Sequence, residues 1–344
     1  MKNKNRLGVA VVGLGEYATT QIMPALKETE NCYLAALVSG TPAKLRQYQA
    51  EYNIADSHLY NYENFDEIAS NDDIDIVYIV LPNLMHPEFT IRAARAGKHI
   101  ICEKPMANTP AECREMIHAI EAAGVRFSMG YRLHFDPYNK EVMRLGQQQV
   151  FGKVKKLTLL DSKDLGNKKT WRVDKKLAGG GPLMNYGVYC IQAAMYLTGK
   201  LPVAVDAAFS PRTDKERFDE VEEGIKFTLH FEDDIVAECE CSYTKQQNLI
   251  NVRAENGWFQ LEPAYEYEGL KGKTSEGEIT FPTVNQQALQ MDDFAECIME
   301  DKPTRVPAEM GLRDVEVIAA VYKSAETKQQ VPIHLESFKT LATS

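Results

Sequence analysis

The chain has 344 residues, 44% of them hydrophobic and 26% charged, a composition ordinary for a globular protein. Its length suffices for two domains, because one hydrophobic core seldom grows beyond about 250 to 300 residues. A net charge of -10, from 39 basic and 49 acidic residues with no stripe of Lys and Arg, excludes nucleic acid and anionic membrane as expected partners.

The opening stretch, MKNKNRLGVAVVGLG, is too short in its apolar part to span a membrane. It runs into a glycine turn instead of a small-residue cleavage site, so a cytoplasmic protein is expected. The seven cysteines contain no C-x-x-C pair and read as free thiols of a reducing compartment. Cys239 and Cys241, two apart in IVAECECSY, should face one side of a strand.

In chain order, LGVAVVG, YLAALVS, DIVYIVLP, KHIICE and RFSMGY alternate with helical stretches such as TPAKLRQYQAEY and PAECREMIHAIEAA. This rhythm predicts βαβ units and a doubly wound α/β domain with a parallel sheet covered on both faces. Pro24 should kink or restart its first helix. Beyond about residue 150, FGKVKKLTLLDS, LPVAVDAAFS, EEGIKFTLHFEDDIVAECECSY and NLINVRAENGWFQLEP read as strands, with hairpin connections at Asp233-Asp234 and Asn256-Gly257. VNQQALQMDDFAECIME and AEMGLRDVEVIAAVYKSAET close the chain as amphipathic helices. The expected division is 1–130, α/β, and 131–344, α+β with a mostly antiparallel sheet, the last helices packing back on the first domain.

After the first strand comes Gly13-Leu14-Gly15-Glu16-Tyr17-Ala18, a G-x-G-x-x-A opening a helix. Its glycines permit a tight turn and let backbone N–H groups approach a pyrophosphate, while Ala18 lets the helix lie close to the sheet. The second strand then lacks the terminal Asp or Glu that would hold a ribose 2′-hydroxyl. It ends in Val38-Ser39-Gly40-Thr41, with Lys44 and Arg46 following, which favours NADP over NAD unless those two cations are only a solvated helix face. Two further strand ends carry functional groups: Leu81-Pro82-Asn83-Leu84-Met85-His86 and Glu103-Lys104-Pro105. A lysine beside a cationic nicotinamide could serve in proton transfer; a histidine such as His86 is more often a helix cap or a packed residue than a catalytic one.

These motifs, with AGKHIICEKPMA and GGGPLMNYGVYCI, stand in the order and spacing of the glucose-fructose oxidoreductase / inositol dehydrogenase (Gfo/Idh/MocA) family, which the chain resembles from about residue 6 to 333. The stretches LVSG, YNYENFDEIA, GYRLHFDPYN, WRVDKKLAGGG and FDEVEEGI resemble its glucose-fructose oxidoreductase branch. The resemblance implies an N-terminal Rossmann domain that binds NADP. It implies a C-terminal α+β domain with a large, mostly antiparallel open sheet that binds a small carbohydrate and forms a homo-oligomer, a dimer or tetramer. It also implies hydride transfer between nicotinamide and a sugar, polyol or related carbonyl compound. By position, Lys104 is the family's catalytic lysine, with a cis Lys104-Pro105 peptide, and Ser39 and Lys44 hold the 2′-phosphate. Tyr62 lies near the adenosine phosphate, and Arg132, Trp171 and Arg172 line the cofactor cleft. Asn185 stands where the family has a substrate-binding aspartate, and Tyr189 where it has its acid/base. Only about five residues precede the first strand, which suits a cofactor that exchanges.

Residues 185 and 189 are i and i+4 on a helix and should share a face. The glycines before them read as room for nicotinamide and substrate to approach the backbone, or as a plain loop before a helix cap and a packed aromatic. Two other readings stay open: a lyase or glycosidase acting through a transient keto-sugar, which the resemblance allows because some members of that family act so, and a non-catalytic NADP-binding regulator, of which asparagine in place of the aspartate at 185 would be a mark.

Overall fold

Six short strands, every neighbouring pair parallel, set the plan of the first part of the chain. The computed structural model describes residues 5–166 and 170–335. It divides into two units, one built from residues up to 107, 111–132 and 285–311, the other from 108–110, 133–284 and 312 onward.

The first unit contains β1 (Leu7–Val12), β2 (Cys32–Val38), β3 (Leu59–Tyr60), β4 (Ile76–Ile79), β5 (His99–Cys102) and β6 (Phe127–Met129) in the order β3-β2-β1-β4-β5-β6. Every residue of β1 and β4 is buried, as a sheet covered on both faces requires. The first helix opens with a π-type turn, Ala18–Ile22, and restarts as α1 (Met23–Ala25) with Pro24 inside it, which bears out the expected break. α2 (Pro42–Tyr52), α3 (His86–Arg95) and α4 (Pro110–Ala123) follow. One part of this unit's core comes from far along the chain. Ala288, Met291, Phe294, Ala295 and Ile298 of α8 (Gln286–Met299) pack in one cluster with Val9, Val11, Ile76 and Tyr78.

The second unit is a nine-stranded sheet of order β14-β13-β12-β11-β7-β10-β9-β8-β15. Its strands are β7 (Val154–Ser162), β8 (Ala204–Phe209), β9 (Gly224–His230), β10 (Val236–Ser242), β11 (Gln247–Ala254), β12 (Gly257–Leu261), β13 (Gly272–Thr274), β14 (Gly277–Ile279) and β15 (Val331–Pro332). All pairs are antiparallel except β7 with β10. α5 (Pro137–Gln147), α6 (Lys175–Ala178), α7 (Val188–Thr198) and part of α9 (Ala308–Thr327) complete it. Val188, Ile191 and Leu197 of α7 share a core with Leu157, Leu159, Phe227 and Ile250 of the sheet, and with Val317 and Val321 of α9.

The β9–β10 hairpin turns at Asp233 and Asp234, both at positive φ (61° and 58°). The next one turns at Glu255-Asn256, one residue earlier than the sequence suggests, with Gly257 already in β12. Cys239 and Cys241 are both buried, on the same side of β10, and all seven cysteines are free and buried. Among the described residues no helix is long and apolar enough to cross a membrane.

Candidate functional site

In the first unit the parallel strands all end at one edge, and the sequence motifs follow those ends. Gly13 continues β1 at φ 93°, its N–H donating to the Val38 carbonyl (2.9 Å). A Cβ here would lie 2.4 Å from the Val80 carbonyl oxygen, so only glycine fits. Leu14 and Ala18 are buried, Tyr17 half-buried, and Gly15 and Glu16 exposed. From the first turn of α2, the Lys44 Nζ reaches back to donate to the Leu14 carbonyl (2.9 Å). That places a cation on the glycine turn. Ser39 is buried at the end of β2; its Oγ accepts the Thr41 N–H (3.1 Å) and can still donate. The Tyr62 ring covers Gly40, where a Cβ would meet it at 2.8 Å, and burial pushes its hydroxyl up.

The β4 end runs through buried Leu81 and half-buried Pro82 to buried Asn83, which opens a short turn before α3. His86, the first residue of α3, is only 1% exposed, with Nε2 2.9 Å from the Leu81 oxygen and Nδ1 2.9 Å from the Pro105 oxygen. It ties two strand-end turns together through their backbones. The sequence left His86 between a cofactor ligand and a packed residue; the structure gives both ring nitrogens backbone partners. After β5, the Lys104-Pro105 peptide is cis, as the resemblance implied, and Lys104 is half-buried. The neighbouring Glu103 carboxylate is buried, accepting from the Tyr78 hydroxyl (3.0 Å) and from the Lys104 N–H (3.3 Å). Burial raises its pKa, while Lys104 and the Tyr78 hydrogen bond act the other way. Arg132 is buried and donates to the Gln286 side chain.

In the second unit Trp171 and Arg172 form a short turn capped by Thr170, whose hydroxyl accepts the Arg172 N–H (3.0 Å). The Arg172 guanidinium lies 4.9 Å from the Trp171 ring centre. Gly179, at φ 76°, ends α6. Added Cβ atoms at Gly179, Gly180 and Gly181 would come within 2.4 Å of Asn108 Oδ1, 2.0 Å of the Tyr322 hydroxyl and 2.3 Å of the Glu222 carbonyl oxygen. A side chain at any of the three would meet the protein's own groups.

Leu183–Gly187 is a π-type turn that continues into α7. Asn185 lies in the turn and Tyr189 in the helix, so the pair straddles a junction where one regular helix face was expected. Such bulges recur at functional sites. Both residues are half-buried. The Tyr189 ring is 6.0 Å from that of Tyr265, and Tyr186 meets Tyr243 edge-on at 5.6 Å. Burial pushes Tyr243 well up, and the Asn185 side chain acts against that. Burial also pushes Tyr186 up; the Asp161 charge adds to the shift and Arg172 opposes it.

Asp161, Tyr186, Tyr243, Tyr265 and Glu222 are site neighbours that sequence reasoning missed. Asp161 left a signal. It falls on the buried side of β7 after Leu157 and Leu159, where alternation calls for an apolar residue. Among the described residues no cluster of His, Cys, Asp and Glu could hold a metal ion.

The profile of an oxidoreductase family with an NAD-binding Rossmann fold matches residues 7–131, and that of a GFO/IDH/MocA C-terminal domain matches 140–260. A crystal structure of aldose-aldose oxidoreductase from Caulobacter crescentus, complexed with glycerol, is 42% identical and superposes with a TM-score of 0.93 over 95% of this chain and all of that one. D-xylose 1-dehydrogenase [NADP(+)] from Haloarcula marismortui is 29% identical across 95% of this chain and 93% of its own length. D-glucoside 3-dehydrogenase from Escherichia coli is also 29% identical, over 75% and 79% of the two chains.

Burial holds His86 below its ordinary pKa of 6.5 against the opposing pull of the Pro105 and Leu81 carbonyls, so unfolding takes up a proton below that value. Its contribution to stability is complete above about pH 6.5 and declines as pH falls from there toward the lowered folded pKa. Urea unfolding at pH 7.5 and 5.5 should therefore show a smaller acid loss in His86→Asn than in the parent, and an equal loss would contradict the reading.

Proposed function

The chain belongs to the Gfo/Idh/MocA oxidoreductase family, and on that premise we propose that it is an NADP-dependent oxidoreductase acting on the CH–OH groups of sugars, aldoses foremost. The observation that carries this reading is its 42% identity to the Caulobacter aldose-aldose oxidoreductase along 95% of the chain, with Lys104 and Tyr189 both in place. NADP supplies the hydride acceptor, and the donor set suits it. The turn Gly13–Tyr17 has no room for a Cβ at 13, Lys44 lies on that turn, Ser39 offers a hydroxyl, and no carboxylate ends β2. In the same reading Tyr62, Leu81, Pro82, Asn83, Glu103, Arg132, Trp171 and Arg172 shape the cofactor site, and His86 acts through the turns it ties.

Tyr189 takes the proton of a sugar hydroxyl as the carbon gives up hydride. A phenol starts near pKa 10 and needs a cation to act near neutral pH, which is the role of Lys104. Asn185 holds a sugar hydroxyl with an amide that both donates and accepts, where an aspartate would only accept. In the reverse direction Tyr189 returns the proton to a carbonyl oxygen.

The free, buried cysteines suit a reducing cytoplasm. The face of the sheet turned away from its core pairs Lys156 with Glu238 (2.6 Å) and carries Trp258, which is 37% exposed. A homo-oligomer through that face would cover this aromatic.

Lys104→Met and Tyr189→Phe should each lower turnover by at least about 100-fold in a nicotinamide absorbance assay with a panel of aldoses; turnover within about threefold of the parent overturns the role. NADPH should accumulate in proportion to sugar consumed, whereas a lyase would return its hydride. Lys44→Met should weaken NADP about tenfold and leave NAD unchanged, at about 1.4 kcal/mol for a lost charged contact; NAD bound more tightly than NADP by the parent overturns the cofactor assignment. In sedimentation, Trp258→Glu should shift an oligomer to a smaller species, and a parent that sediments as a single chain removes the proposed interface.

A further inference from the structure

The helix that carries Asn185 and Tyr189 begins without a side-chain cap of its own. Its first turn follows Gly181-Pro182, and no neighbouring Ser, Thr, Asp or Asn meets the N–H groups that a helix start leaves unpaired. The missing acceptor comes instead from 40 residues on, in the stretch Val221-Glu222-Glu223-Gly224 that leads into β9. One Glu222 carboxylate oxygen accepts the Leu183 N–H (3.0 Å) and the Tyr322 hydroxyl (2.9 Å), and the other accepts the Gly181 N–H (2.9 Å). Glu222 is 6% exposed, so three donors compensate a buried carboxylate.

The adjacent Glu223 carboxylate meets a different set of groups. It accepts from the Thr213 N–H (2.6 Å) and hydroxyl (2.7 Å), the Asp214 N–H (3.2 Å) and the Thr244 hydroxyl (2.9 Å). Just before β9, Glu223 thus holds Thr213 and Thr244 while Glu222 reaches the helix start. The glycines make this possible, because a Cβ at 180 would strike the Tyr322 hydroxyl and one at 181 the Glu222 backbone.

We propose that Glu222 is a positioning residue for the reaction: by holding Gly181, Leu183 and Tyr322 at one carboxylate, it fixes the turn that presents Asn185 and Tyr189 to the sugar. The inference rests on the reading of Tyr189 as the acid/base. It adds that the orientation of the helix start is set by a remote strand and not by local capping. Misplacement of a reacting group by about 1 Å can cost on the order of 100-fold in rate, so a small shift of this turn is enough to matter.

Glu222→Gln preserves the shape and replaces one acceptor oxygen by a donor, leaving at least one of the three partners opposed by N–H. In the full-length enzyme, with active sites counted by NADPH binding, its kcat should fall by at least about tenfold while the KM for NADP stays within about twofold. Amide hydrogen exchange should quicken in residues 181–189 and stay unchanged in β7 and β10. Tyr322→Phe removes one donor of the three and should give a smaller fall, about threefold, in kcat. A kcat within about twofold of the parent in Glu222→Gln overturns the proposal, whatever its exchange pattern. If that variant fails to fold, unchanged kcat and unchanged exchange in Tyr322→Phe overturn it instead. Tyr189→Phe, measured alongside, separates the two claims: loss of turnover with parental exchange upholds Tyr189 as the acid/base independently of Glu222, and retained turnover removes that role.

Discussion

The β1–β4 pairing is the constraint on which the first unit depends. β2 lies on one side of β1 and β4 on the other, so the connections leaving β1 and β4 diverge and open a crevice at their carboxyl ends. The turn after β1 runs so close to the Val80 carbonyl that a single methyl group at position 13 would close it. Everything proposed for the cofactor follows from that closeness. The Lys44 amine can reach the turn only because α2 starts directly after β2, and His86 can brace Leu81 against Pro105 only because β4 and β5 end side by side.

The two units use one device at their proposed functional residues. In the first, Glu103 is buried beside Lys104 and is held by a tyrosine hydroxyl, from Tyr78, and by a backbone N–H. In the second, Glu222 is buried against the turn that carries Asn185 and is held by the hydroxyl of Tyr322 and two backbone N–H groups. A carboxylate used this way spans several donors at fixed angles, which an apolar contact cannot do. Its burial would otherwise favour the protonated form, and both carboxyls are indeed shifted upward. Each therefore couples local rigidity to the charge state of one group.

Much of the architecture was legible because it rests on period and on glycine. The fully apolar runs of β1 and β4, the G-x-G-x-x-A turn, the break at Pro24 and the closing helices all follow from local rules, and each is where the sequence placed it. β3 was not legible, since Leu59–Tyr60 is too short to carry a period. Neither was the parallel pairing of β7 with β10, which no turn or alternation encodes because the partners lie some 80 residues apart. At the site, the identities of Lys104, Asn185 and Tyr189 came from their motifs, whereas their supports did not. Tyr78, Gln290, Glu222 and Tyr322 act through contacts far apart in the chain. The groups that crowd the glycines of GGGPLMN were not legible for the same reason: they come from residues 108, 222 and 322.

The first unit is interrupted in sequence, and this has a consequence for how the protein is made. Its strands are complete by Met129, yet Met291, Phe294 and Ile298, which seal the sheet's core, belong to α8. On the ribosome the parallel sheet must therefore wait, with an apolar face uncovered, while more than 150 further residues emerge. At about 5 to 20 residues per second this exposure lasts roughly 10 to 30 seconds. A chain cut at residue 130 would keep these strands and lack the α8 side chains that share their core.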